Sequence, residues 1–188
     1  NIKMKKILSI IVFNLIIVSN SMATEQLKYE TLDVNKVYEI RKYSDRLVIE
    51  TETSNQNSSF RKLFNYISGS NENNQEIKMT APVTQIEKNG NMTMQFYLPS
   101  EFDENNTPSP SNSEVKVLNM KGGYFAAITY SGRASDKNFI KHKEILENQL
   151  KEDKITILSP PIRATYNSPF TLPMLRRNEV MFEIERNT

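Results

Sequence analysis

In the first half of the chain, the arrangement of apolar residues is typical of strands in some segments and of a helix in another. The segments 37–43 and 46–53 are rich in β-branched and aromatic residues, which predicts two strands. Four apolar residues then follow at the i, i+3, i+4, i+7 spacing of one helical face: Phe60, Leu63, Phe64 and Ile67. The pattern therefore predicts a helix that follows the second strand and ends at Gly69.

A β-hairpin is predicted directly after this helix. The segment 77–87 leads into an Asn-Gly turn, and apolar residues alternate with others in "MTMQFYL" (92–98). Pro82 excludes helix and favours an extended conformation of Ala81. The segment "IKMTAPV" is therefore expected to carry the chain from the helix back into a sheet, a role in the architecture and not in chemistry.

The second half of the chain restarts the same order of elements. Strands are predicted at 114–120 and 122–132, a helix begins near Ser135, and the last strand alternates about Val180, Phe182 and Ile184. The polar segment 99–114 between the halves is interpreted as a long surface loop within one domain. Neither half alone has enough elements for a good core.

Spacing also indicates an internal repeat. Tyr38 and Phe96 are 58 residues apart, and so are Tyr124 and Phe182. Two ββαβ-like halves would bury their helix faces against a shared antiparallel sheet or an open barrel. The prediction is an α+β fold with pseudo-two-fold symmetry.

The N-terminal 23 residues have the pattern of a secretory signal peptide. Lys3, Lys5 and Lys6 precede the apolar run 7–18, and Ser21 and Ala23 fit a cleavage site. The run is shorter than the roughly 20 residues of a membrane-spanning helix, so cleavage is favoured over anchoring. We therefore expect a single domain over 24–188, a periplasmic or secreted location and no membrane span after cleavage.

Charge and cysteine content exclude several classes of function. Removal of three lysines from the 24 basic residues leaves 21 against 22 acidic ones, a net charge of −1. No basic excess remains for a nucleic-acid partner. The chain has no cysteine and one histidine, so disulfides, thiolate catalysis and multi-histidine zinc sites are excluded. Phosphate-loop, Rossmann and serine-hydrolase motifs are missing as well, and we expect no enzyme activity.

Three features carry the remaining candidate chemistry. His142 lies beside the apolar face of the second helix, where a structural role is favoured over heme ligation. Arg176 and Arg177 precede the last strand and would pair either with Glu179 or another carboxylate of the protein, or with a ligand carboxylate. The loop "SPFTLPML" (168–175) is unusually apolar and either folds back as core or forms the wall of a ligand groove.

At four segments the chain resembles the SOUL heme-binding protein family. They are "YEIRKY" (38–43), "NYISGSNENNQEIKMTAPV" (65–83), "GGYFAAITYSG" with "NFIKHKEIL" (122–146), and "LPMLRRNEVMFEI" (172–184). "KMTAPV" and "RRNEV" are the most diagnostic pieces. The resemblance implies a distorted antiparallel β-barrel with two helices, built from a duplicated unit. It also implies a monomeric, non-enzymatic carrier or buffer of heme or other tetrapyrroles, including metal-free porphyrin.

The same resemblance implies a site, a shallow hydrophobic groove between the first helix and a loop near the C-terminus. The helix positions that match are Asn57, Phe60, Phe64 and Ile67, and the loop positions are Pro169, Phe170, Leu172 and Met174. Position 57 is Asn where a basic residue would pair with a propionate, so Arg61, Lys62 or Arg176 would replace it. Because His142 is on the other helix, we expect binding by apolar contact without an axial ligand and with no metal held by the protein.

Two other functions stay open at this point. The duplicated fold also resembles bacterial effector-binding domains, in which a buried acidic residue meets cationic ligands. Glu50 and Glu183 are the candidates for such a residue, and the ligand would be another amphipathic small molecule. The third possibility is an interaction module of the cell envelope whose apolar loop contacts a protein partner.

Overall fold

A computed structural model describes residues 24–53, 55–88 and 90–186. The predicted signal peptide, residues 1–23, lies outside the described residues. Eleven strands form within them: β1 (Glu25–Gln26), β2 (Glu30–Val34), β3 (Glu39–Tyr43), β4 (Arg46–Thr53), β5 (Thr80–Ala81), β6 (Val83–Lys88), β7 (Asn91–Tyr97), β8 (Lys116–Met120), β9 (Gly123–Tyr130), β10 (Ile162–Thr165) and β11 (Asn178–Ile184). The helices are α1 (Gln56–Ile67) and α2 (Asp136–Glu152), and a 3₁₀ turn lies at Pro173–Leu175.

Nine of these strands form one curled antiparallel sheet in the order β2-β3-β9-β11-β10-β6-β7-β4-β8. The other two, β1 and β5, form a short parallel pair. The α+β prediction of a distorted antiparallel barrel with two helices is therefore confirmed. Outward from the central β6–β10 pair, one side runs β7, β4, β8 and the other runs β11, β9, β3, β2. On each side the first strand is the antiparallel partner, the second precedes the helix of the same half, and the third comes from the other half of the chain. A duplicated unit predicts this arrangement, and the duplication itself stays a prediction.

Both helices pack on the same face of the sheet. Helix α1 lies on β4 and β7, where Leu63 and Tyr66 are buried against Ile49 and Phe96. Helix α2 lies on β9 and β11 over a second apolar cluster, which includes Ile128, Leu146, Leu150, Val180 and Phe182. Of the predicted α1 face, Leu63 and Ile67 thus hold the helix on the sheet.

Local side-chain chemistry sets where the helices begin and end. The side chain of Asn55 accepts hydrogen bonds from the backbone N–H groups of Asn57 and Ser58, and Ser135 caps α2 in the same way. After α1 the backbone turns at Gly69, whose φ of 106° lies in the left-handed region that favours glycine. The Ile77 N–H then donates to the Ile67 carbonyl at 2.8 Å, so "IKMTAPV" runs back from the helix end to β5 and β6.

The inner face, meaning the face of the sheet opposite the two helices, is also covered. Every residue of β7 from Thr93 to Tyr97 is buried, because side chains on both faces of this strand are enclosed. The N-terminal segment 24–29 lies against the inner face. The Tyr29 ring centroid is 5.3 Å from that of Tyr43, and the Arg41 guanidinium is 4.2 Å from the Tyr29 centroid.

Candidate functional site

Two phenylalanines form an exposed aromatic strip along the flank of α1. Phe60 and Phe64 lie one turn apart, with 42% and 47% of their surfaces exposed. Their rings are nearly parallel, with an interplanar angle of 13° and centroids 6.0 Å apart. The edge of Phe60 also contacts Phe96 of β7, with centroids 5.2 Å apart, so the strip rests on the sheet. Leu63 is fully buried beneath it and keeps the helix in place.

The loop between β10 and β11 exposes a second apolar surface. Phe170 is 95% exposed, and three further apolar side chains of this loop are also exposed: Leu172, Met174 and Leu175. The apolar segment therefore does not fold back as core. The Arg176 guanidinium donates to the carbonyls of Thr171, at 2.7 Å, and Pro169, and the Gly132 N–H donates to the Pro173 carbonyl at 2.8 Å. These bonds shape the loop while its apolar side chains face solvent.

Strand register relates the aromatic strip to this loop. Phe96, which Phe60 contacts, is paired with Val83 of β6, and Val83 is paired with Thr165 of β10. Directly paired residues of antiparallel strands point to the same face, so all three point toward the helices. The loop leaves the sheet at Tyr166, and β10 lies two strand spacings, roughly 10 Å, from β7. On this face, β6 and β10 thus lie between the strand beneath α1 and the start of the loop.

The other predicted groove residues have mixed surroundings. Asn57, Arg61 and Pro169 are exposed. Ile67 is 6% exposed and packs in the cluster beneath α1, so it supports the helix. Lys62 is paired with Glu114 at 2.6 Å. The membership of these residues in a binding site stays a prediction.

A buried ionic network occupies the inner face and centres on Glu179. Its carboxylate accepts hydrogen bonds from four side chains: Arg41 at 2.8 and 3.1 Å, Arg177 at 2.7 and 2.9 Å, Tyr166 at 2.8 Å and Thr129 at 3.1 Å. Burial alone would raise the pKa of the Glu179 carboxyl. The hydrogen bonds and charges of Arg41 and Arg177 outweigh burial and hold that pKa below its usual value. Burial and the charge of Glu179 raise the pKa of the Tyr166 phenol.

The three glutamates that were considered from the sequence have different environments in the structure. Glu50 is buried and accepts a hydrogen bond from Gln95 at 2.9 Å, whereas Glu183 is only half-buried. The fully buried glutamate is Glu179, which the sequence suggested only as a partner for the adjacent arginines. Its pairing with Arg177 is confirmed, but Arg41, 138 residues away, could not be found from local spacing. Since its oxygens are shared among four protein donors, Glu179 is a structural anion.

The single histidine has a structural environment on α2. The His142 ring stacks on the Tyr130 ring with centroids 4.0 Å apart and an interplanar angle of 7°. Its Nδ1 lies 2.7 Å from the Asn138 carbonyl. Within residues 24–53, 55–88 and 90–186, no three His, Cys, Asp or Glu side chains are grouped to hold a metal ion. Nor is any helix in these ranges long and apolar enough to cross a membrane.

Comparison with solved structures relates the fold to other proteins. The C-terminal domain of EcmrR superimposes with a TM-score of 0.60 and 11% sequence identity, over 85% of this chain and 99% of that one. A hydrolase from Listeria innocua superimposes with a TM-score of 0.58 and 8% identity, over 86% of this chain and all of the other. At such low identity these likenesses show a shared fold and nothing about activity.

Comparison of sequences identifies the family. The family model of the SOUL heme-binding protein matches residues 24–183. Human heme-binding protein 2 is 31% identical over 166 residues, which is 80% of this chain and 78% of the human protein. The mouse protein of the same name is 32% identical over 164 residues, with the same shares covered. The chain therefore belongs to the SOUL heme-binding protein family.

Proposed function

We propose that this protein binds heme or another tetrapyrrole in a groove between the flank of α1 and the loop 168–175, and that it carries or buffers this ligand without transforming it. The observation that carries the proposal is the pair of exposed apolar surfaces on either side of β6 and β10. A folded protein does not usually expose several large apolar side chains together unless they contact a partner or ligand. Membership in a heme-binding family supports a flat, apolar tetrapyrrole as that ligand.

The aromatic strip suits one face of a porphyrin. Parallel rings at positions 60 and 64 offer a continuous apolar surface about one helical turn long. The loop offers the opposite wall through Phe170, Leu172 and Met174, which are exposed before any ligand arrives. Burying both surfaces against a macrocycle removes apolar area from water, which is the main favourable contribution to such binding.

The charged groups near the groove favour Arg61 as the partner of a propionate. Arg61 is exposed and forms no ion pair with a described carboxylate. Lys62 is already paired with Glu114, and Arg176 donates to loop carbonyls. His142 lies on α2, stacked on Tyr130, so the groove contains no axial histidine. Metal-free porphyrin is therefore expected to bind about as well as heme.

The test is a titration of the purified protein with hemin and with protoporphyrin IX, followed by the Soret absorbance. We expect saturable binding of both ligands. Phe64→Ala should weaken the binding of both ligands about tenfold or more, because it removes the exposed half of an aromatic ring that the ligand would otherwise bury. His142→Ala should leave both affinities unchanged.

Ile145→Ala provides a matched control, since Ile145 is an exposed apolar residue on α2, away from the groove. It should bind both ligands like the unmodified protein. If neither ligand binds saturably, the tetrapyrrole proposal fails. A loss of binding in His142→Ala but not in Phe64→Ala would move the site to α2.

A further inference from the structure

A second opening lies away from the proposed groove and contains none of its residues. It is a cleft of about 590 Å³, within the range of small-molecule sites. Three segments border it: residues 25–28, residues 44–47 at the β3–β4 turn and the start of β4, and residues 97–100 and 102–105 at and after the end of β7. Leu27, Leu47, Leu98 and Phe102 give it an apolar lining. The cleft can therefore receive a ligand independently of α1 and the loop 168–175.

Arg46 is the unusual residue of this cleft. Its guanidinium lies over three rings, with centroid distances of 5.1 Å to Tyr43, 5.4 Å to Phe125 and 5.7 Å to Tyr97. The Arg46 Nε is buried and has no hydrogen-bond partner. Its Nη1 reaches only two carbonyls, at 3.3 and 3.5 Å, beyond the usual range of 2.7–3.2 Å. The side chain thus offers strong donors that the protein leaves largely unused.

Other buried or half-buried arginines differ from Arg46. Arg41 forms a two-bond contact with Glu179, Arg163 pairs with Asp136 at 2.7 Å, and Arg177 pairs with Glu179. Arg176 donates from Nε and Nη2 to two loop carbonyls. Arg46 makes no such pair with any carboxylate of the described chain. Cation–π contact offsets part of the cost of desolvating a guanidinium, but it leaves the N–H donors without acceptors.

The carboxylates of the cleft are already hydrogen-bonded within the protein. Each of four has a partner: Glu25 accepts from Ser100 N at 3.0 Å, Asp45 from Lys121 Nζ at 2.8 Å, Asp103 from Asn105 N at 2.7 Å and Glu104 from Asn119 Nδ2 at 2.7 Å. Among the cations of the cleft, Arg46 and the exposed Lys28 form no ion pair with a described carboxylate, although the charge of Arg46 acts at longer range on Asp45. The surrounding negative charge disfavours ligands with several negative charges, so a single carboxylate is the anion that fits.

We propose that this cleft binds a small amphipathic monocarboxylate. The carboxylate pairs with the Nη groups of Arg46, with Lys28 adding longer-range attraction. The apolar chain of the ligand lies against Leu27, Leu47 and Phe102. This site is distinct from the tetrapyrrole groove, and either one can exist without the other.

Calorimetric titration of the purified protein with decanoate tests the inference. Decyltrimethylammonium, which has the same chain and the opposite charge, is the matched ligand control. We expect saturable binding of decanoate and none of decyltrimethylammonium. Arg46→Gln should weaken decanoate binding by about 10- to 100-fold, as expected for the loss of a charge-assisted bidentate contact. Arg46→Lys should retain part of the affinity, and Arg133→Gln, at an exposed arginine outside the cleft, should retain all of it.

Decanoate and decyltrimethylammonium are both titrated into the unmodified protein. Their comparison therefore tests the inference even if Arg46→Gln does not fold. Equal binding of decanoate and decyltrimethylammonium overturns the inference, as does the absence of saturable decanoate binding. Unchanged decanoate binding in a folded Arg46→Gln variant overturns it too. If Phe64→Ala, and not Arg46→Gln, removes decanoate binding, the acid occupies the groove, and this inference fails while the proposed groove stands. Loss of hemin binding with decanoate binding intact in Phe64→Ala supports two separate sites.

Discussion

Replacement of Glu179 by Gln should strongly destabilise the protein, although it changes the side-chain volume very little. The side chains of Arg41 and Glu179 are both 0% exposed, and Glu179 neutralises Arg41 directly. In Glu179→Gln the Arg41 guanidinium stays buried, with only the partly exposed Glu39, at 2.9 Å, as an ionic partner. Removing one member of a buried pair costs about 3–5 kcal/mol of unfolding free energy. For a domain of this size that corresponds to a fall in Tm of about 6–20 °C.

Urea unfolding followed by circular dichroism measures this loss. The control is Glu114→Gln, which breaks the more exposed ion pair with Lys62 and should cost less than about 1 kcal/mol. The difference expected between the two variants comes from burial and not from the number of ion pairs. A loss for Glu179→Gln no larger than that for Glu114→Gln would refute this explanation.

The same variant changes how stability depends on pH. The pKa of Glu179 is held below its usual value in the folded protein. Its contribution to stability is therefore complete above the unfolded pKa, about 4.3, and is lost as pH falls through the lower folded pKa. The unmodified protein should lose stability in acid more steeply than Glu179→Gln does. Parallel acid profiles would show that this carboxylate has no depressed pKa.

Two further predictions concern the turn before β9 and the alkaline stability. Gly122→Ala should destabilise the protein by about 1–3 kcal/mol in urea unfolding, because a Cβ there would overlap the Tyr43 carbonyl oxygen. Gly123→Ala, whose Cβ would meet only side-chain atoms of Glu183 and Phe125, at 3.3 Å or more, should cost clearly less, and equal losses would contradict the clash. Burial and the 2.7 Å hydrogen bond to Asp153 raise the pKa of Tyr38 to about 12. Its contribution to stability is therefore complete below the unfolded pKa of about 10 and is lost as pH rises through 12. In a spectrophotometric titration Asp153→Asn, which removes the charge of Asp153, should lower the Tyr38 pKa, and an unchanged value would contradict the role of that charge.

The helices could be predicted from the sequence because their signals are local. Apolar spacing within two turns and the capping residues Asn55 and Ser135 lie within a few residues of the elements they define. Strand β10 was not predicted. It has only four residues, and it is a strand because β6 and β11 pair with it from both sides, across distances in sequence that no local pattern reports.

The candidate site, too, was predictable from the sequence only in part. Apolar spacing placed Phe60 and Phe64 on the same helical face as Leu63 and Ile67. In the structure that face splits, because α1 rests on the sheet along the line of Leu63 and Ile67 and leaves the two phenylalanines half uncovered on its flank. Which apolar residues are core and which stay exposed depends on where the sheet lies beneath the helix.

The sequence by itself determined the family, both helices, the hairpin about Gly90 and the apolar character of the loop 168–175, because each is written in a short run of residues. Only the tertiary structure decided that Glu179 meets Arg41, that Arg46 lies among three rings without a carboxylate partner, and that the loop stays exposed. Burial and charge pairing depend on residues brought together from distant parts of the chain by strand pairing, so their outcome cannot be read from local order.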